Sequence, residues 1–360
     1  MKKAVSEGVF PGAVLLVSKE TGLVVFDAYG AARIGPERRM TRETVFDLAS
    51  LTKPLATTLG VMILVQKGAL FLEQEIGTII SAFQGTDKER VTIRQLLAHN
   101  SGLPDYRPYY KSLMTFAPER GKEGLEEMLL SERLIAAPGT QTVYSDIGFM
   151  ILGWAMEVVT KTPLNLFIEE TIYHPLGLQN LFFLPLDSEK PRSNIDFAAT
   201  EECQWRKKVL EGEVHDDNAY AIGGVAGHSG LFGIAEDIHR LLVELLNTHQ
   251  GRPNSGLFHP ETLRTFFQRQ TSGRALGFDT PTQPGSSSGR HFSQHSVGHL
   301  GYTGTSFWID LERLIIVILL TNRVHPTREN DKIKNFRPII HDAVMEELLK
   351  DNSEIPNLGT

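Results

Sequence analysis

Cysteine is nearly missing from this chain, since Cys203 is the only one among 360 residues. A single cysteine excludes an intramolecular disulfide and any zinc or iron–sulfur site built from several cysteines. A role as a thiol nucleophile is also disfavoured, because the neighbouring carboxylates of Glu201 and Glu202 would oppose a thiolate. Cys203 is therefore predicted to be a structural residue.

The chain also has no surplus of positive charge and no long apolar run. Its formal net charge is -7 and its pI is near 6.0, which argues against a nucleic-acid partner. No stretch approaches about 18 uninterrupted apolar residues, so no membrane span is expected. The basic start at Lys2 and Lys3 is not followed by the apolar segment of a signal peptide. A cytoplasmic location is the default expectation, and a periplasmic or secreted one applies if a leader was removed.

The composition is that of a globular protein, with 41% apolar and 22% charged residues. It predicts a chain that folds around its own hydrophobic core. Apolar runs at 12–18 and 23–29 flank a short polar turn with Gly22, which predicts a β-hairpin. Two further strands are predicted at 304–310 and 314–321. Helices are predicted over 52–70, 92–99, 147–160, 164–173, 236–249 and 332–350.

Strands at both ends with helices between them predict an α+β fold, in which one antiparallel sheet is built from both chain ends. We predict a discontinuous sheet domain from residues 1–55 and 265–360 and a mostly helical domain from residues 56–264. Pockets are common at such boundaries. The active site is therefore expected at this interface, where Ser50 lies.

Ser50 is the only serine of the chain with a lysine three residues later, Lys53. On a helix these positions lie about one turn apart on the same face. A serine hydroxyl becomes a good nucleophile when a nearby base removes its proton. A lysine is such a base only if its pKa falls well below the usual value of about 10.4. The spacing also fits an ordinary helix cap, so the rest of the chain decides between these interpretations.

Two more segments carry chemistry. Tyr144-Ser145-Asp146 runs into a predicted helix, where a phenol and a carboxylate would assist proton transfer or hold a substrate, or where Ser145 or Asp146 is simply an N-cap. The glycine-rich stretch from 297 to 306 offers backbone N–H groups at a strand edge, or is a plain bulged edge. Residues 285–289 match Gly-x-Ser-x-Gly, but the Pro-rich and His-rich flanks do not fit a nucleophile elbow.

Together, Ser50-Leu-Thr-Lys53, Tyr144-Ser-Asp146 and His299-Leu-Gly301 resemble the serine β-lactamase and penicillin-binding-protein superfamily. The nearest branch is that of the class C β-lactamases, with the related D-alanyl-D-alanine carboxypeptidases and β-lactamase-like carboxylesterases. The resemblance covers roughly residues 8 to 348. It implies the β-lactamase/transpeptidase-like fold and acyl transfer through a serine.

The resemblance also implies roles for single residues. Ser50 would be the nucleophile, with Lys53 and Tyr144 sharing the proton transfers in an order left open. The oxyanion hole would be formed by the backbone N–H groups of Ser50 and Tyr302. The residues expected to bind substrate are Asp146, His299, Gly301 and Thr303.

Two departures from the superfamily pattern bear on the substrate. Asp146 stands where the superfamily has asparagine, so an amide donor is replaced by an acceptor-only carboxylate. His299 stands where it has a lysine that attracts a substrate carboxylate, and a histidine would assist only when protonated, below about pH 6.5. These changes favour an esterase or a cell-wall peptidase over an efficient β-lactamase.

The predicted function is hydrolysis of an ester, peptide or β-lactam bond through an acyl-Ser50 intermediate. The alternative is a penicillin-binding or sensor module that is acylated without appreciable turnover. The expected partner is a small-molecule or peptide substrate, with neither metal nor cofactor. Clustering of His215 with Asp216 and Asp217 is interpreted as structural hydrogen bonding rather than a metal site.

Overall fold

The computed structural model describes residues 1–350 apart from 21, 117–119, 189–194 and 283. The strands in this part of the chain are β1 (Gly12–Lys19), β2 (Gly22–Arg33), β3 (Arg38–Arg39), β4 (Phe46–Asp47), β5 (Leu181–Phe183), β6 (Glu202–Cys203), β7 (Lys208–Val209), β8 (Leu231–Gly233), β9 (Val297–Leu300), β10 (Ser306–Asp310) and β11 (Ile315–Thr321).

Six of these strands form one antiparallel sheet in the order β3-β2-β1-β11-β10-β9. The β1–β2 pair is the hairpin predicted from the sequence. In the centre of the sheet β1 pairs with β11, with Leu16 opposite Ile318, so the two ends of the chain meet there. The prediction of an α+β fold with a sheet built from both chain ends is confirmed.

Both faces of this sheet are covered, which explains why its central strands are apolar throughout. Val14 and Leu16 of β1 face the main core, whereas Leu15 and Val17 face a second core under the chain's terminal helix. Successive side chains of a strand point to opposite faces. Alternation of polar and apolar residues is therefore absent, because neither face of β1 meets water.

Helices are the main regular secondary structure between the two halves of the sheet, and one further helix lies near each end of the chain. The α-helices are α1 (Lys2–Ser6), α2 (Leu59–Gln66), α3 (Ile76–Ile79), α4 (Ile93–Leu97), α5 (Tyr110–Leu113), α6 (Gly121–Ser131), α7 (Asp146–Thr160), α8 (Leu164–Ile168), α9 (Asp217–Ala221), α10 (Ala235–His249), α11 (Pro260–Phe267) and α12 (Ile333–Lys350). No helix in the described ranges is both long and apolar enough to cross a bilayer.

The predicted helix at 52–70 is more irregular than expected. One 3₁₀ turn, Ala49–Leu51, leads into a π-helical stretch, Lys53–Thr58, and only then into α2. Such wide turns are rare and occur frequently at functional sites. All six residues of the π-helical stretch are buried. The segment that carries Ser50 therefore lies inside the protein between the sheet and the helical region.

A second, three-stranded sheet fixes the chain just before this segment. Its order is β4-β8-β5, so the strand that precedes Ser50 is hydrogen-bonded to β8 from the middle of the chain. Leu48 continues this ladder, because its N–H donates to Leu231 O at 2.9 Å. Ser50 is thus positioned by segments that lie far apart in sequence.

Candidate active site

Ser50 follows a strained turn that a buried carboxylate holds in place. Asp47 accepts hydrogen bonds from the N–H of Ala49 at 2.8 Å and from the N–H of His215 at 2.6 Å. Ala49 has a φ of 47°, in the left-handed region that an alanine rarely occupies. Strain of this kind persists only where the surroundings determine the conformation. The hydroxyl of Ser50 caps no helix in this structure, which removes the helix-cap interpretation.

Lys53 is fully buried one turn beyond Ser50 and makes three polar contacts. Its Nζ donates to Ser50 Oγ at 3.0 Å and to the carbonyl oxygen of His228 at 3.1 Å. It lies 2.7 Å from Oδ1 of Asp146. An ammonium group has three N–H donors. Two of them therefore have acceptors in Ser50 and His228, and the charge of the ammonium is paired with Asp146.

This environment keeps Lys53 charged. Burial lowers the pKa of Lys53, but the negative charge of Asp146 and the contact with Tyr144 outweigh burial, so the pKa is raised above its usual value. A base would need the opposite shift. A lowered pKa, which Lys53 would need in order to act as the base, is therefore absent in the resting protein. The physical reason is the carboxylate of Asp146, which stands where the superfamily has asparagine.

Tyr144 and Asp146 reach Lys53 because Ser145 alone serves as the N-cap of α7. Ser145 Oγ accepts the N–H of Gly148 at 3.1 Å and donates to the carbonyl oxygen of Pro104 at 2.6 Å. The ring centroid of Tyr144 lies 5.0 Å from Lys53 Nζ. The N-cap interpretation thus holds for Ser145, while its two neighbours face the serine–lysine pair.

Two histidines and an arginine surround the ring of Tyr144. The rings of His99 and His299 lie 4.6 Å and 5.9 Å from it, and the guanidinium carbon of Arg274 lies 5.2 Å from it. Arg274 is also paired with Asp279. Arg274 belongs to no sequence motif and lies in a loop 130 positions after Tyr144, so the sequence did not indicate that it is near the site.

Both histidines are neutral at physiological pH. Burial lowers the pKa of His299 well below its usual value of 6.5, and the nearby charges of Lys53 and Arg274 lower it further. Burial, again with Arg274 and Lys53, does the same to the pKa of His99. The Nδ1 of His299 is bound to Leu300 O at 2.9 Å. Protonation of His299 near pH 6.5, which the sequence left open, is therefore not supported.

The turn between β9 and β10 is bound directly to the segment before Ser50. Thr303 Oγ1 donates to Asp47 O at 2.8 Å, and Thr305 Oγ1 donates to Leu48 O at 3.1 Å. A Cβ added to Gly301 would lie 2.7 Å from Leu48 O, too close for any side chain. Glycine is therefore required at this close approach.

This contact brings the backbone of Tyr302 beside Ser50. Neither the N–H of Ser50 nor that of Tyr302 has an acceptor within the described residues. Arg337 of α12 braces the turn by donating to the carbonyl oxygens of Gly301 and Thr305, both at 2.9 Å. Two backbone donors thus remain available where an oxyanion hole is predicted. Thr303 differs from its predicted role in one respect, since its buried hydroxyl already holds the nucleophile segment.

Two other sequence features have structural roles. The serines at 286 and 288 of the Gly-x-Ser-x-Gly match are buried and bonded to each other at 2.7 Å, and no helix begins after them. His215 lies 3.3 Å from Glu201 and His228 lies 3.0 Å from Asp216. Both histidines are paired with carboxylates, in line with structural hydrogen bonding.

The fold and this site define a class of protein. An antiparallel sheet from both chain ends, a helical region between them, and a buried serine–lysine pair beside a tyrosine are the arrangement of serine hydrolases of the β-lactamase/transpeptidase type. The family comparison agrees, since the model of the Beta-lactamase family matches residues 1–337.

The chain belongs to the Beta-lactamase family and is a serine hydrolase of it. It is 34% identical over 352 residues to the N-acetylmuramyl-L-alanine amidase of Bacillus subtilis, covering 88% of this chain and 78% of the relative. A Salmonella paratyphi B protein with the provisional name D-alanyl-D-alanine carboxypeptidase is 31% identical over 354 residues, covering 90% and 81%.

A solved structure shows the same fold at lower sequence identity. It is that of EstCE1, a hydrolase with promiscuous acyltransferase activity. It superimposes with a TM-score of 0.71 at 23% identity and covers 92% of this chain and 96% of its own. The superfamily and fold predicted from the sequence are thereby confirmed.

Proposed function

We propose that Ser50 attacks the carbonyl carbon of an ester or amide and forms an acyl-enzyme that water then hydrolyses. The observation that carries this proposal is the hydrogen bond from Lys53 Nζ to Ser50 Oγ at 3.0 Å in a buried site. The free N–H groups of Ser50 and Tyr302 would bind the oxyanion. Donors of this kind each stabilise the transition state by about 2.7–4 kcal/mol.

In this proposal the phenolate form of Tyr144, rather than Lys53, takes the proton of Ser50. Lys53 is already bound to Ser50, His228 and Asp146, and its pKa is raised by Asp146 and Tyr144 against the effect of burial. Lys53 therefore orients Ser50 and supplies positive charge. Negative charge on the Tyr144 oxygen is stabilised by Lys53 and by Arg274, both of which lie beside its ring. Tyr144 then returns the proton to the leaving group.

The substrate we propose is an amide or ester without a carboxylate next to the bond that breaks. His299 is neutral, and Asp146 is paired with Lys53. Neither position thus offers a free cation to a carboxylate, which a penicillin or a D-Ala-D-Ala terminus carries. The amidase from Bacillus subtilis supports an amide of the N-acetylmuramyl-L-alanine type. The carboxypeptidase name of the Salmonella relative makes a D-alanyl peptide the second candidate.

We also propose that the cleft separates residues 1–55 and 265–360 from residues 56–264. Contacts across this division hold the site, as in the pairing of Lys53 with Asp146 and of Asp47 with His215. The roles of Asp146, His299, Gly301 and Thr303 toward a substrate belong to the same proposal.

Labelling and turnover test the proposal together. The protein is incubated with a fluorophosphonate, a fluorescent penicillin, p-nitrophenyl butyrate and N-acetylmuramyl-L-alanyl-D-isoglutamine, whose alanine carboxyl is blocked by a peptide bond, and intact mass and product release are followed. Turnover that is lost in Ser50→Ala, and retained in Ser287→Ala as the matched control, is the expected result. A stable adduct on Ser50 without turnover would favour the acylated sensor module. Absence of any modification at Ser50 would refute the catalytic role.

A further inference from the structure

Exposed aromatic side chains are concentrated at the mouth of the proposed cleft. In the described part of the chain the exposed aromatic residues are Phe71, Tyr106, Trp205 and Tyr302. Tyr106, Trp205 and Tyr302 come from three distant parts of the sequence, and the contacts given below connect each of them to the site. We call Tyr106, Trp205 and Tyr302 the aromatic rim. Because water-exposed aromatic surface is unfavourable, its concentration at one place indicates a binding role.

Each member of the aromatic rim is tied to a residue of the site. Tyr302 directly follows Gly301, which packs on Leu48. Tyr106 follows Asp105, whose carbonyl oxygen accepts the N–H of Asp146 at 2.9 Å.

Trp205 is connected to the site through two neighbouring carboxylates, those of Asp216 and Asp217. Its indole N–H donates to Asp217 Oδ1 at 3.1 Å. Burial raises the pKa of the neighbouring Asp216 carboxyl, but its contact with His228 and the nearby charge of Lys53 lower that pKa below its usual value. Asp216 therefore lies close to Lys53. Burial raises the pKa of the Tyr106 hydroxyl, and the nearby charges of Asp216 and Asp217 raise it further. Trp205 and Tyr106 therefore share one group of carboxylates.

Two rings of the rim, those of Tyr302 and Trp205, are packed against neighbouring rings. Tyr302 stacks on His215 with ring centroids 5.7 Å apart, and the guanidinium carbon of Arg323 lies 4.5 Å from its ring. Trp205 stacks on Tyr110 at 5.6 Å and meets Tyr220 edge-on at 5.6 Å. A ring that is already oriented loses little conformational freedom when a ligand covers it.

The charges between the rings are already paired with each other. Arg328 binds Glu201 through Nε, at 2.7 and 2.8 Å from its two oxygens, and Arg206 binds Asp217 at 2.8 Å. Arg323 donates to the carbonyl oxygens of Tyr302, Arg328 and Asn330. A phosphate or a terminal carboxylate would have to break such a pair. A neutral ligand needs only the exposed rings and breaks none of these pairs.

We propose that the aromatic rim binds a neutral pyranose saccharide carried by the substrate; its place beside the breaking bond rests on the proposed function. A pyranose has a face of C–H groups and an edge of hydroxyls. The C–H face packs on an aromatic ring, whose face carries partial negative charge. The hydroxyls hydrogen-bond to the phenolic O–H groups of the exposed residues Tyr106 and Tyr302. Hydrophobic contact and hydrogen bonding are thus both satisfied without a net charge on the ligand.

Binding of N,N′-diacetylchitobiose to the full-length Ser50→Ala protein tests the rim directly. Ligand-observed NMR measures the dissociation constant, and a peptide probe, L-alanyl-D-isoglutamine, is titrated in parallel. We expect the disaccharide to bind, with affinity about tenfold weaker in Trp205→Ala, since that variant removes the largest aromatic ring of the rim. Trp205→Tyr should restore most of the affinity. Phe71→Ala, the exposed aromatic residue outside the rim, should bind like the parent protein.

The outcomes separate this inference from the proposed function. Turnover of p-nitrophenyl butyrate by the wild-type protein, without any disaccharide binding, would overturn the saccharide site alone. Binding that is unchanged in both Trp205→Ala and Tyr302→Ala would overturn it too. Trp205-dependent binding of the peptide probe in place of the disaccharide would assign the rim to a peptide instead. Thermal melting of each variant establishes that a loss of binding is not a loss of folding.

Discussion

Two lysines are buried in the described part of the chain, and they differ in a way that separates structure from function. Lys53 and Lys88 are 0% and 2% exposed. Lys53 lies 2.7 Å from Asp146, and Lys88 lies 2.9 Å from Asp87. Each also donates to a backbone carbonyl oxygen, that of His228 for Lys53 and that of Glu132 for Lys88. Burial beside a carboxylate is therefore not by itself a sign of catalysis.

What distinguishes Lys53 is its third acceptor. Its remaining donor is directed at the hydroxyl of Ser50, whereas Lys88 faces the ring of Phe83, 5.9 Å from the ring centroid. Lys88 joins the loop before α4 to the end of α6 and has a structural role. The partner of Lys53 is also less exposed, since the Asp146 side chain is 20% exposed against 43% for Asp87. An opposite charge in a drier site acts more strongly on its partner.

Replacing each lysine by methionine gives the largest predicted difference. Lys53→Met should lower kcat/KM for p-nitrophenyl butyrate by about 10³-fold, because it removes the group that orients Ser50 and supplies charge. Lys88→Met should leave kcat/KM within about threefold of wild type, as expected for a side chain that contacts no reacting group. Steady-state kinetics and thermal melting of both variants check this. Equal losses of activity would contradict the contrast between the two lysines.

Two tyrosines extend the comparison to the proton-transfer step. Tyr144 lies beside Lys53, and Tyr109 donates from its hydroxyl to Glu132, next to Lys88, at 2.8 Å. Tyr144→Phe should lower kcat about 10²-fold, which is typical of a lost general acid–base group. Tyr109→Phe should alter stability but not kcat. A loss of only a few fold in Tyr144→Phe would show that another group accepts the proton of Ser50.

A glycine near each lysine tests whether the backbone around Ser50 is positioned for catalysis. Gly301→Ala places a Cβ 2.7 Å from Leu48 O and must displace the turn that carries Tyr302. We expect kcat/KM to fall about tenfold or more, as for a partly lost oxyanion donor. Gly77→Ala meets Glu89, with 2.8 Å to its Cγ, on the side of Lys88. It should lower the melting temperature with kcat/KM nearly unchanged; a large kinetic loss there would mean that general destabilisation explains both variants.

The sequence predicted what depends on local spacing. The hairpin at the start of the chain follows from two apolar runs around a turn, and the one-turn separation of Ser50 from Lys53 follows from helical geometry. The Gly-x-Ser-x-Gly match was also correctly set aside on its flanks. Such predictions need only residues that are close in the chain.

Contacts between residues that lie far apart in the chain could not be predicted from the sequence. Nothing in the spacing of Lys53 and Asp146 reveals a 2.7 Å ion pair, or that this pair raises the pKa of Lys53 against the effect of burial. The position of Arg274 beside Tyr144 and the assembly of the aromatic rim likewise depend on how distant loops pack. The predicted catalytic and substrate-binding roles, and the domain boundaries, stay predictions.

Asp146→Asn should have the smallest effect at neutral pH and the clearest effect on the pH profile. With the carboxylate gone, burial prevails and the pKa of Lys53 falls. If catalysis requires the ammonium form of Lys53, activity is lost as the pH rises through the pKa of Lys53. The alkaline limb of the plot of kcat/KM against pH should therefore move to lower pH in Asp146→Asn. Asp87→Asn is the matched control and should leave the limb unchanged. An alkaline limb that stays in place in Asp146→Asn would contradict the requirement for the ammonium form. If the acidic limb moves to lower pH instead, Lys53 acts as a neutral base. Lys53 would then differ from Lys88 by the base chemistry that the sequence first predicted.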